Sequence, residues 1–381
     1  MLSSERILTT HTGSLPRPPD LLEQILAKEA GTLADRAAFD ARVREAVAEV
    51  VRKQLDCGID IVSDGEMGKP GYATYLKDRA TGFEGPHKVT TVQAEGRDFP
   101  EFTQRRVGGG GPAILRPSCN GPIAWKDFDA VERDIANFKA AVTAANPPEA
   151  FMTTASPGVI AIFLANDYYP SHEAYLEALA AVMREEYEAI HRAGFVLQLD
   201  CPDLAMSRHL RYADLSLEEF RAIVAQHVAV LNQATQEIPP NRMRLHLCWG
   251  NYEGPHHLDV PLKEIIDIVL TARPAAISFE GANPRHEHEW KVWRDVKLPP
   301  GKLIIPGVID STTNFIEHPE LVAERIVRYA ELVGKENVIA GSDCGFGTFA
   351  TSATVDPRIT WAKLGALAEG ARIASAALWP A

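Results

Sequence analysis

The strongest constraint on the fold is a regular alternation of short apolar stretches with longer amphipathic ones. The short stretches are rich in β-branched and aromatic residues, which predicts strands, and apolar residues recur at helical spacing between them. The predicted strands are residues 7–11, 59–63, 151–154, 195–200, 243–248, 276–280, 303–308 and 338–342. The predicted helices include residues 36–57, 175–193, 217–233, 262–272 and 321–333.

This alternation predicts right-handed crossover connections and therefore a parallel sheet. Eight strands fit a closed (β/α)8 TIM barrel, in which chemistry takes place at the carboxyl ends of the strands. We expect residues 1–381 to form this single barrel and residues 68–122, which are rich in glycine, proline and charge, to form a long excursion after the second strand. A doubly wound open sheet is the alternative, and it too would place polar groups at strand ends.

The end of the fifth predicted strand carries metal-ligand residue types. Side chains at i and i+2 of a strand share a face, so His246 and Cys248 should converge. Glu280 and Cys344 close two later strands, and this mixture of nitrogen, oxygen and sulfur suits zinc. Ligands from three distant strands favour a catalytic metal over a structural one. Cys201 should face the opposite side of its strand end and is predicted to pack in the core.

Composition narrows the classes of partner and compartment. A net charge of -12 argues against nucleic acid and anionic membranes, both of which need a basic protein surface. No apolar run approaches a membrane span, and the first residues resemble neither a signal nor a transit peptide, so a cytoplasmic location is expected. Five widely spaced cysteines do not indicate a disulfide framework. Small molecules are the expected partners, and homo-oligomer formation stays open.

Further polar residues follow other predicted strands. Ser14, Glu66 and Asp200 are each as consistent with a helix cap or a solvated loop as with binding, but together they could hold an ammonium or hydroxyl group. Four histidines in charged loop sequence are predicted to face solvent rather than to bind metal, namely His256, His257, His286 and His288.

Seven short motifs spread over nearly the whole chain carry a family resemblance: THTGSLP at 10–16, DGE at 64–66, QLDCPDLA at 198–205, HLC at 246–248, SFE at 278–280, PGVID at 306–310 and SDCG at 342–345. With them the sequence resembles the catalytic domain of cobalamin-independent methionine synthases. The resemblance implies a barrel that binds zinc and transfers an alkyl group, usually methyl, to a thiol. It implies zinc ligation by His246, Cys248, Glu280 and Cys344. It also implies that Ser14, Glu66 and Asp200 hold the amino-acid part of the thiol substrate.

The sequence also departs from the family pattern. Members of the resembled family are about twice as long and use an N-terminal half in binding folate. Where the family has a proton-transferring histidine after Asp310, this chain has Thr312, and Phe163 or a neighbour replaces a folate-stacking tryptophan. Protonating a leaving amine requires a general acid, which Thr312 cannot supply, so either another group such as His11 or His209 acts or the donor needs less help. The candidate catalytic residues are thus His11, Asp310 and Thr312.

Three functions are compatible with these residues. The first is zinc-dependent methyl transfer to a thiol such as homocysteine, from a donor that the sequence does not identify. The second is thiol transfer to an epoxide, as in the related epoxyalkane:coenzyme M transferases, with Arg208, Arg211 or Arg285 holding an anionic thiol. The third is a non-catalytic zinc-binding barrel or a zinc hydrolase, and four protein ligands disfavour the hydrolase because they leave no vacancy for water.

Overall fold

The computed structural model describes residues 2–89, 93–107, 114–351 and 354–380. Its strands are β1 Leu8–Thr9, β2 Ile61–Val62, β3 Glu149–Ala155, β4 Val196–Asp200, β5 Met243–Leu247, β6 Ala276–Phe279, β7 Leu303–Ile309 and β8 Ile339–Ser342. Its helices are α1 Pro19–Glu29, α2 Arg36–Asp56, α3 Leu76–Arg79, α4 Pro100–Val107, α5 Asp129–Ala145, α6 Pro157–Phe163, α7 His172–Arg192, α8 Ser207–Leu210, α9 Leu217–Ala234, α10 Ile266–Val269, α11 Pro319–Val333 and α12 Pro357–Leu378.

The eight strands form one parallel sheet in the order β1-β8-β7-β6-β5-β4-β3-β2. The order ends with β1 and β2, and hydrogen bonds bring these two strands together. The Asp60 amide donates to the Thr9 carbonyl at 3.2 Å, and the Thr10 hydroxyl donates to the Ile61 carbonyl at 3.1 Å. The sheet therefore curls into a nearly closed barrel with the helices outside, which confirms the predicted (β/α)8 architecture.

The barrel interior has an apolar lower part and a polar upper part. A buried cluster draws one or two side chains from each of six strands, β2 to β4 and β6 to β8, and Leu8 of β1 packs against it; its members are Ile61, Phe151, Val196, Ala276, Leu303, Ile305 and Ile339. Because side chains alternate along a strand, the inward residues further along are polar, as with Gln198 and Asp200 of β4. The apolar layer thus supports a polar floor at the carboxyl ends of the strands.

Arg244 crosses this floor and ties β5 to the residues after β1. Its guanidinium is fully buried, donates to the Thr10 hydroxyl at 2.9 Å and to the His11 carbonyl at 2.6 Å, and lies 3.9 Å from the centre of the Phe151 ring. Burial lowers the pKa of Arg244 to about 9, an effect that the nearby Asp200 carboxylate partly opposes.

We expect the substitution Arg244→Met to lower the free energy of unfolding by about 1–2 kcal/mol. Methionine retains most of the apolar volume and relieves the desolvation of a buried cation, but it leaves the Thr10 hydroxyl and the His11 carbonyl without their donor. Urea denaturation followed by circular dichroism measures the change. Arg6→Met is the matched control, since Arg6 is half exposed and pairs with Asp60 at the surface. An equal loss in both variants would contradict a special contribution from the buried arginine.

The excursion after β2 covers the carboxyl end of the barrel. It includes α3, the short 3-10 helix Ala94–Arg97 and α4, and residues 90–92 and 108–113 lie outside the described part of the chain. Val89, Gln93 and Arg97 line the same cavity as the strand-end residues. We call residues 93–107 the covering segment. No helix within the described ranges is both long enough and apolar enough to cross a membrane.

Candidate metal centre

A cavity of about 790 Å³ opens at the carboxyl ends of the strands. Its floor carries His246, Cys248 and Cys344, and its walls come from the strand-end loops and the covering segment. Three aromatic rings, Tyr72, Phe163 and Phe349, line it with centroids 5.5–6.0 Å apart. A concave, largely apolar site with few convergent polar groups is typical of small-molecule binding.

Strand geometry brings three of the four predicted ligands together. His246 and Cys248 point the same way from the end of β5, and Cys344 follows β8. The Cys344 sulfur lies 3.3 Å from His246 Nε2 and 2.9 Å from the Cys248 sulfur. Among the described residues, these three donor atoms form a group within 4.8 Å of one another, and all three residues are buried.

The buried environment of these three ligand atoms favours a bound cation. Burial raises the pKa of the Cys248 thiol well above its usual value, and it lowers the pKa of His246 to about 3. For Cys344 the hydrogen bond with Cys248 lowers the pKa, but burial and the Glu280 charge outweigh it and raise the value to about 11. Two buried thiols beside a neutral imidazole are a donor set that a borderline-soft ion such as Zn²⁺ fits, because the ion's charge stabilises thiolates.

Glu280, the fourth predicted ligand, lies beside this group, and its charge raises the pKa of both cysteines. One carboxylate oxygen accepts the Trp249 amide at 2.8 Å and the other accepts the Asn283 side-chain amide at 2.7 Å. Asp343 fixes the loop after β6 by accepting the Gly281, Ala282 and Asn283 amides, each at 2.8 Å. Glu280 is therefore held at the edge of the donor group, and its ligation stays a prediction.

The three residues expected to hold the amino-acid part of a substrate also line the cavity. Ser14 packs against Gly345, where a Cβ atom would lie 2.0 Å from the Ser14 hydroxyl oxygen. Glu66 has a positive φ of 57°, a strained conformation that often marks a functional site. Its Oε1 accepts the Thr153 hydroxyl at 3.0 Å, whereas its buried Oε2 has no hydrogen-bond partner among the residues that the structure describes. Asp200 accepts the Gln198 side-chain amide at 2.7 Å.

The three candidate catalytic residues are engaged elsewhere and do not line the cavity. His11 lies below the floor, with Nε2 2.7 Å from Gln54 Oε1 and Nδ1 accepting the Gly13 amide at 3.2 Å. Asp310 accepts the Thr312 hydroxyl at 2.8 Å and the Thr313 hydroxyl at 2.6 Å, in addition to both backbone amides. Asp310 and Thr312 therefore shape the loop after β7, and their catalytic assignment gains no support from the geometry.

His11 provides a pH-dependent test of this environment. Burial lowers its pKa to about 4, although the hydrogen bond with Gln54 partly opposes the shift. The unfolded chain then binds the proton first, so stability should fall as the pH drops from about 6.5 to about 4, by up to ~1.4 kcal/mol per pH unit. Urea denaturation across this range should show a smaller slope for His11→Asn than for the unsubstituted protein. Equal slopes would mean that His11 is not a buried neutral ring.

Two predictions about single residues have clear outcomes. Cys201 is fully buried in the main core, as predicted. The prediction that four loop histidines face solvent is wrong for two of them, since the side chains of His256 and His286 are buried against Asp259. His257 and His288 are exposed.

Sequence reasoning missed Arg244 and the aromatic wall of the cavity. Arg244 precedes His246 and Cys248 at the same two-residue spacing, so the strand period was a signal for its inward direction. Tyr72 and Phe349 gave no comparable signal because their segments meet only in the folded chain.

Comparison with known proteins identifies the family of this chain. Residues 152–358, more than half of the chain, match the model of the cobalamin-independent synthase catalytic domain. The chain belongs to this family. Relatives of this family include a methionine synthase of Thermococcus kodakarensis, 26% identical over 96% of this chain and 92% of the relative. Another, from Saccharolobus solfataricus, is 24% identical over 96% of this chain and 94% of its own length.

Solved structures of family members support the fold. A B12-independent methionine synthase from Shewanella sp. W3-18-1, in complex with selenomethionine, superposes with a TM-score of 0.71 at 21% identity, over 97% of each chain. A putative vitamin-B12 independent methionine synthase from Listeria monocytogenes gives 0.66 at 18% identity, over 97% of this chain and 98% of its own. The matches cover nearly the whole of both chains, so the expectation that family members are about twice as long as this chain is wrong for these relatives.

Proposed function

We propose that this protein transfers a methyl group to the thiol of homocysteine and that it does so with a zinc ion held by His246, Cys248, Cys344 and Glu280. The observation that carries the proposal is the convergence of one imidazole and two thiols, within 4.8 Å, on the floor of a substrate-sized cavity. Family membership and the methionine synthase relatives support the choice of methyl transfer to homocysteine.

Zinc at such a site would lower the pKa of a substrate thiol and so supply a thiolate nucleophile at neutral pH. The chain's own residues supply binding and orientation. Ser14, Glu66 and Asp200 offer one hydroxyl and two carboxylates to the amino-acid part of homocysteine. Burial raises the pKa of Glu66 and that of Asp200, and the cost of ionising them would be offset by a bound ammonium group.

The part of the cavity that we assign to the methyl donor is lined by aromatic residues. Tyr72, Phe163 and Phe349 offer ring faces and edges to a donor with a flat or apolar body, and the guanidinium of Arg116 lies 4.7 Å from the centre of the Phe163 ring. Burying the reacting carbon in such a wall would exclude water and hold it in line with the sulfur, an orientation effect of several orders of magnitude in rate. These features suit a methyl donor larger than the thiol.

The epoxide alternative loses the three arginines that were expected to hold an anionic thiol. The arginines predicted to hold an anionic thiol bind backbone carbonyls instead: Arg208 those of Tyr212 and Leu215, Arg211 that of Ala161, and Arg285 that of His257. The cavity-lining carboxylates favour a thiol with an amino group over one with a sulfonate.

Zinc X-ray absorption with and without candidate thiols tests the proposal. We expect the zinc-bound protein to show about two sulfur ligands and a further sulfur after homocysteine is added, with no change on adding coenzyme M or glutathione. Formation of methionine from homocysteine with methyl iodide as a simple methyl source is the activity readout. Absence of stoichiometric zinc, or a sulfur gain only with coenzyme M, would contradict the proposal.

A further inference from the structure

A second group of metal-binding residue types lies behind the cavity wall, away from the cysteines. Glu95, His256 and Asp259 each place one donor atom within 4.8 Å of the others, and all three residues are buried. His209 and His286 also contact Asp259. We call these five residues the histidine–carboxylate cluster. It joins the covering segment, which carries Glu95, to the loop after β5, which carries His256 and Asp259.

Several buried polar atoms of this cluster make no hydrogen bond to any residue that the structure describes. They are Glu95 Oε1, Asp259 Oδ1 and both ring nitrogens of His209, of which Asp259 Oδ1 and His209 Nδ1 lie 2.8 Å apart as an ion pair. Buried polar groups in folded proteins are otherwise nearly always paired, so unpaired atoms of both carboxylates and of an imidazole in one place need an explanation. A bound cation would satisfy the oxygens and at least one nitrogen together.

The contact between His209 and Asp259 also favours a bound cation. His209 Nδ1 lies 2.8 Å from Asp259 Oδ1, so the imidazole and the carboxylate face each other directly beside the other two donor residues. Donor atoms of two ligands of one ion lie at comparable separations. The backbone of His256 is held at a φ of 51°, a conformation that costs energy for a non-glycine residue and that fixes its ring against Tyr252.

His286 has a different role in the cluster. Its two ring nitrogens lie 3.0 Å from Asp259 Oδ2 and 2.9 Å from Glu289 Oε2. The ring therefore bridges Asp259 and Glu289 and orients Asp259, in the way that the partners of metal ligands commonly orient them.

We propose that Glu95, His256 and Asp259 hold a second divalent cation, with His209 adjoining, independent of the cysteine centre. Nitrogen and oxygen donors without sulfur suit a first-row divalent ion such as Zn²⁺, Mn²⁺ or Fe²⁺. The site needs no thiol substrate and does not depend on the reaction proposed above.

A cation at this site would fasten the covering segment over the cavity. Gln93, Gly96 and Arg97 of that segment line the cavity, and Glu95 between them turns to the cluster, where its Oε2 accepts the Tyr252 hydroxyl at 2.5 Å. Tyr252 itself lines the cavity and stacks on His256 with ring centroids 4.1 Å apart. The site would thus link the roof of the cavity to the strand loop that also carries Cys248.

Cobalt titration of the metal-free full-length protein separates the two sites. Co²⁺ bound to thiolates gives an intense sulfur-to-cobalt charge-transfer band, and Co²⁺ bound only to nitrogen and oxygen does not. We expect about two equivalents in the unsubstituted protein, and about one without that band in Cys248→Ser/Cys344→Ser. Asp259→Asn and Glu95→Gln should keep the charge-transfer band and lose about one equivalent. His257→Gln, an exposed neighbour paired with Asp98, is the matched control and should keep both equivalents.

The outcomes of the cobalt titration distinguish whether the second cation site exists. If Glu95→Gln and Asp259→Asn bind as many equivalents as the unsubstituted protein, the proposal is overturned. It is also overturned if the double cysteine variant, folded by circular dichroism, binds no cobalt. Elemental analysis of the protein as isolated, before chelation, identifies the ion. If the unsubstituted protein binds one equivalent of cobalt without the charge-transfer band, and Glu95→Gln and Asp259→Asn lose it, the result supports the second site and counts against the cysteine centre alone.

Discussion

Cys344→Ser should abolish both stoichiometric zinc binding and thiol methylation. A serine hydroxyl is a poor ligand for zinc, and with one of its two thiolates lost the site keeps only His246, Cys248 and the proposed ligand Glu280, which should hold the ion too weakly for stoichiometric binding. Without the ion, only a few per cent of a free thiol is ionised at pH 7, and the thiolate is no longer positioned. We expect methionine formation from homocysteine and methyl iodide to fall on the order of 10³-fold or more.

Cys57→Ser is the matched control for this variant. Cys57 is a free, half-buried thiol at the end of α2, where its sulfur donates to the Trp361 carbonyl at 3.6 Å. It should retain full zinc content and activity. Elemental analysis, circular dichroism and the rate of methionine formation are measured on both variants. A folded Cys344→Ser protein with unchanged zinc and activity would exclude Cys344 as a ligand and remove the centre proposed here.

The barrel could be predicted because most of its strands are buried on both faces and therefore stand out as apolar, β-branched runs. Each of the eight predicted strands corresponds to an observed one, although β1 and β2 pair over only two residues. The helix predicted at 262–272 is instead the 3-10 turn Leu262–Glu264 followed by the short α10. The two are separated at Ile265, whose φ of -129° lies outside the helical range and interrupts the helix.

Part of the candidate centre could be predicted for the same reason. Strand period and the strand-end rule identify His246, Cys248 and Cys344 without knowledge of the distances between strands. The histidine–carboxylate cluster could not be predicted in this way. Glu95 and Asp259 are far apart in sequence, and the charged neighbours of His256 indicate a solvated loop. Its burial depends on the covering segment, whose position no local pattern specifies.

The same limit applies to the candidate catalytic and substrate-binding residues. Polar type and position after a strand indicated a role for His11, Asp310 and Glu66 alike, because a local pattern cannot show which groups already have partners. The folded chain separates them. His11 and Asp310 have their hydrogen-bonding atoms engaged, whereas one oxygen of Glu66, which lines the cavity, has no partner within the described part of the chain. Unsatisfied capacity for hydrogen bonds, and not residue type, is what favours Glu66 as a substrate-binding group.

Glu66→Gln should weaken homocysteine binding about 10²-fold while leaving zinc in place. The substitution preserves shape and the contact with Thr153 but removes one of two negative charges facing the cavity. A charge-assisted hydrogen bond to an ammonium group contributes about 1.5–3 kcal/mol, and tenfold in affinity corresponds to about 1.4 kcal/mol. Isothermal titration calorimetry of the zinc-loaded protein measures the dissociation constant without any methyl donor.

The thiol 4-mercaptobutanoate, which is homocysteine without its amino group, makes this prediction specific to the ammonium contact. It should bind the unsubstituted protein about as weakly as homocysteine binds Glu66→Gln, and the substitution should barely change its affinity, because the contact is already absent. Because burial raises the pKa of Glu66 and of Asp200, homocysteine affinity should also fall as the pH is lowered and these carboxylates protonate. That pH dependence should be weaker for 4-mercaptobutanoate. An equal loss of affinity for both thiols in Glu66→Gln would indicate a general disturbance of the cavity and would argue against an ammonium site at Glu66.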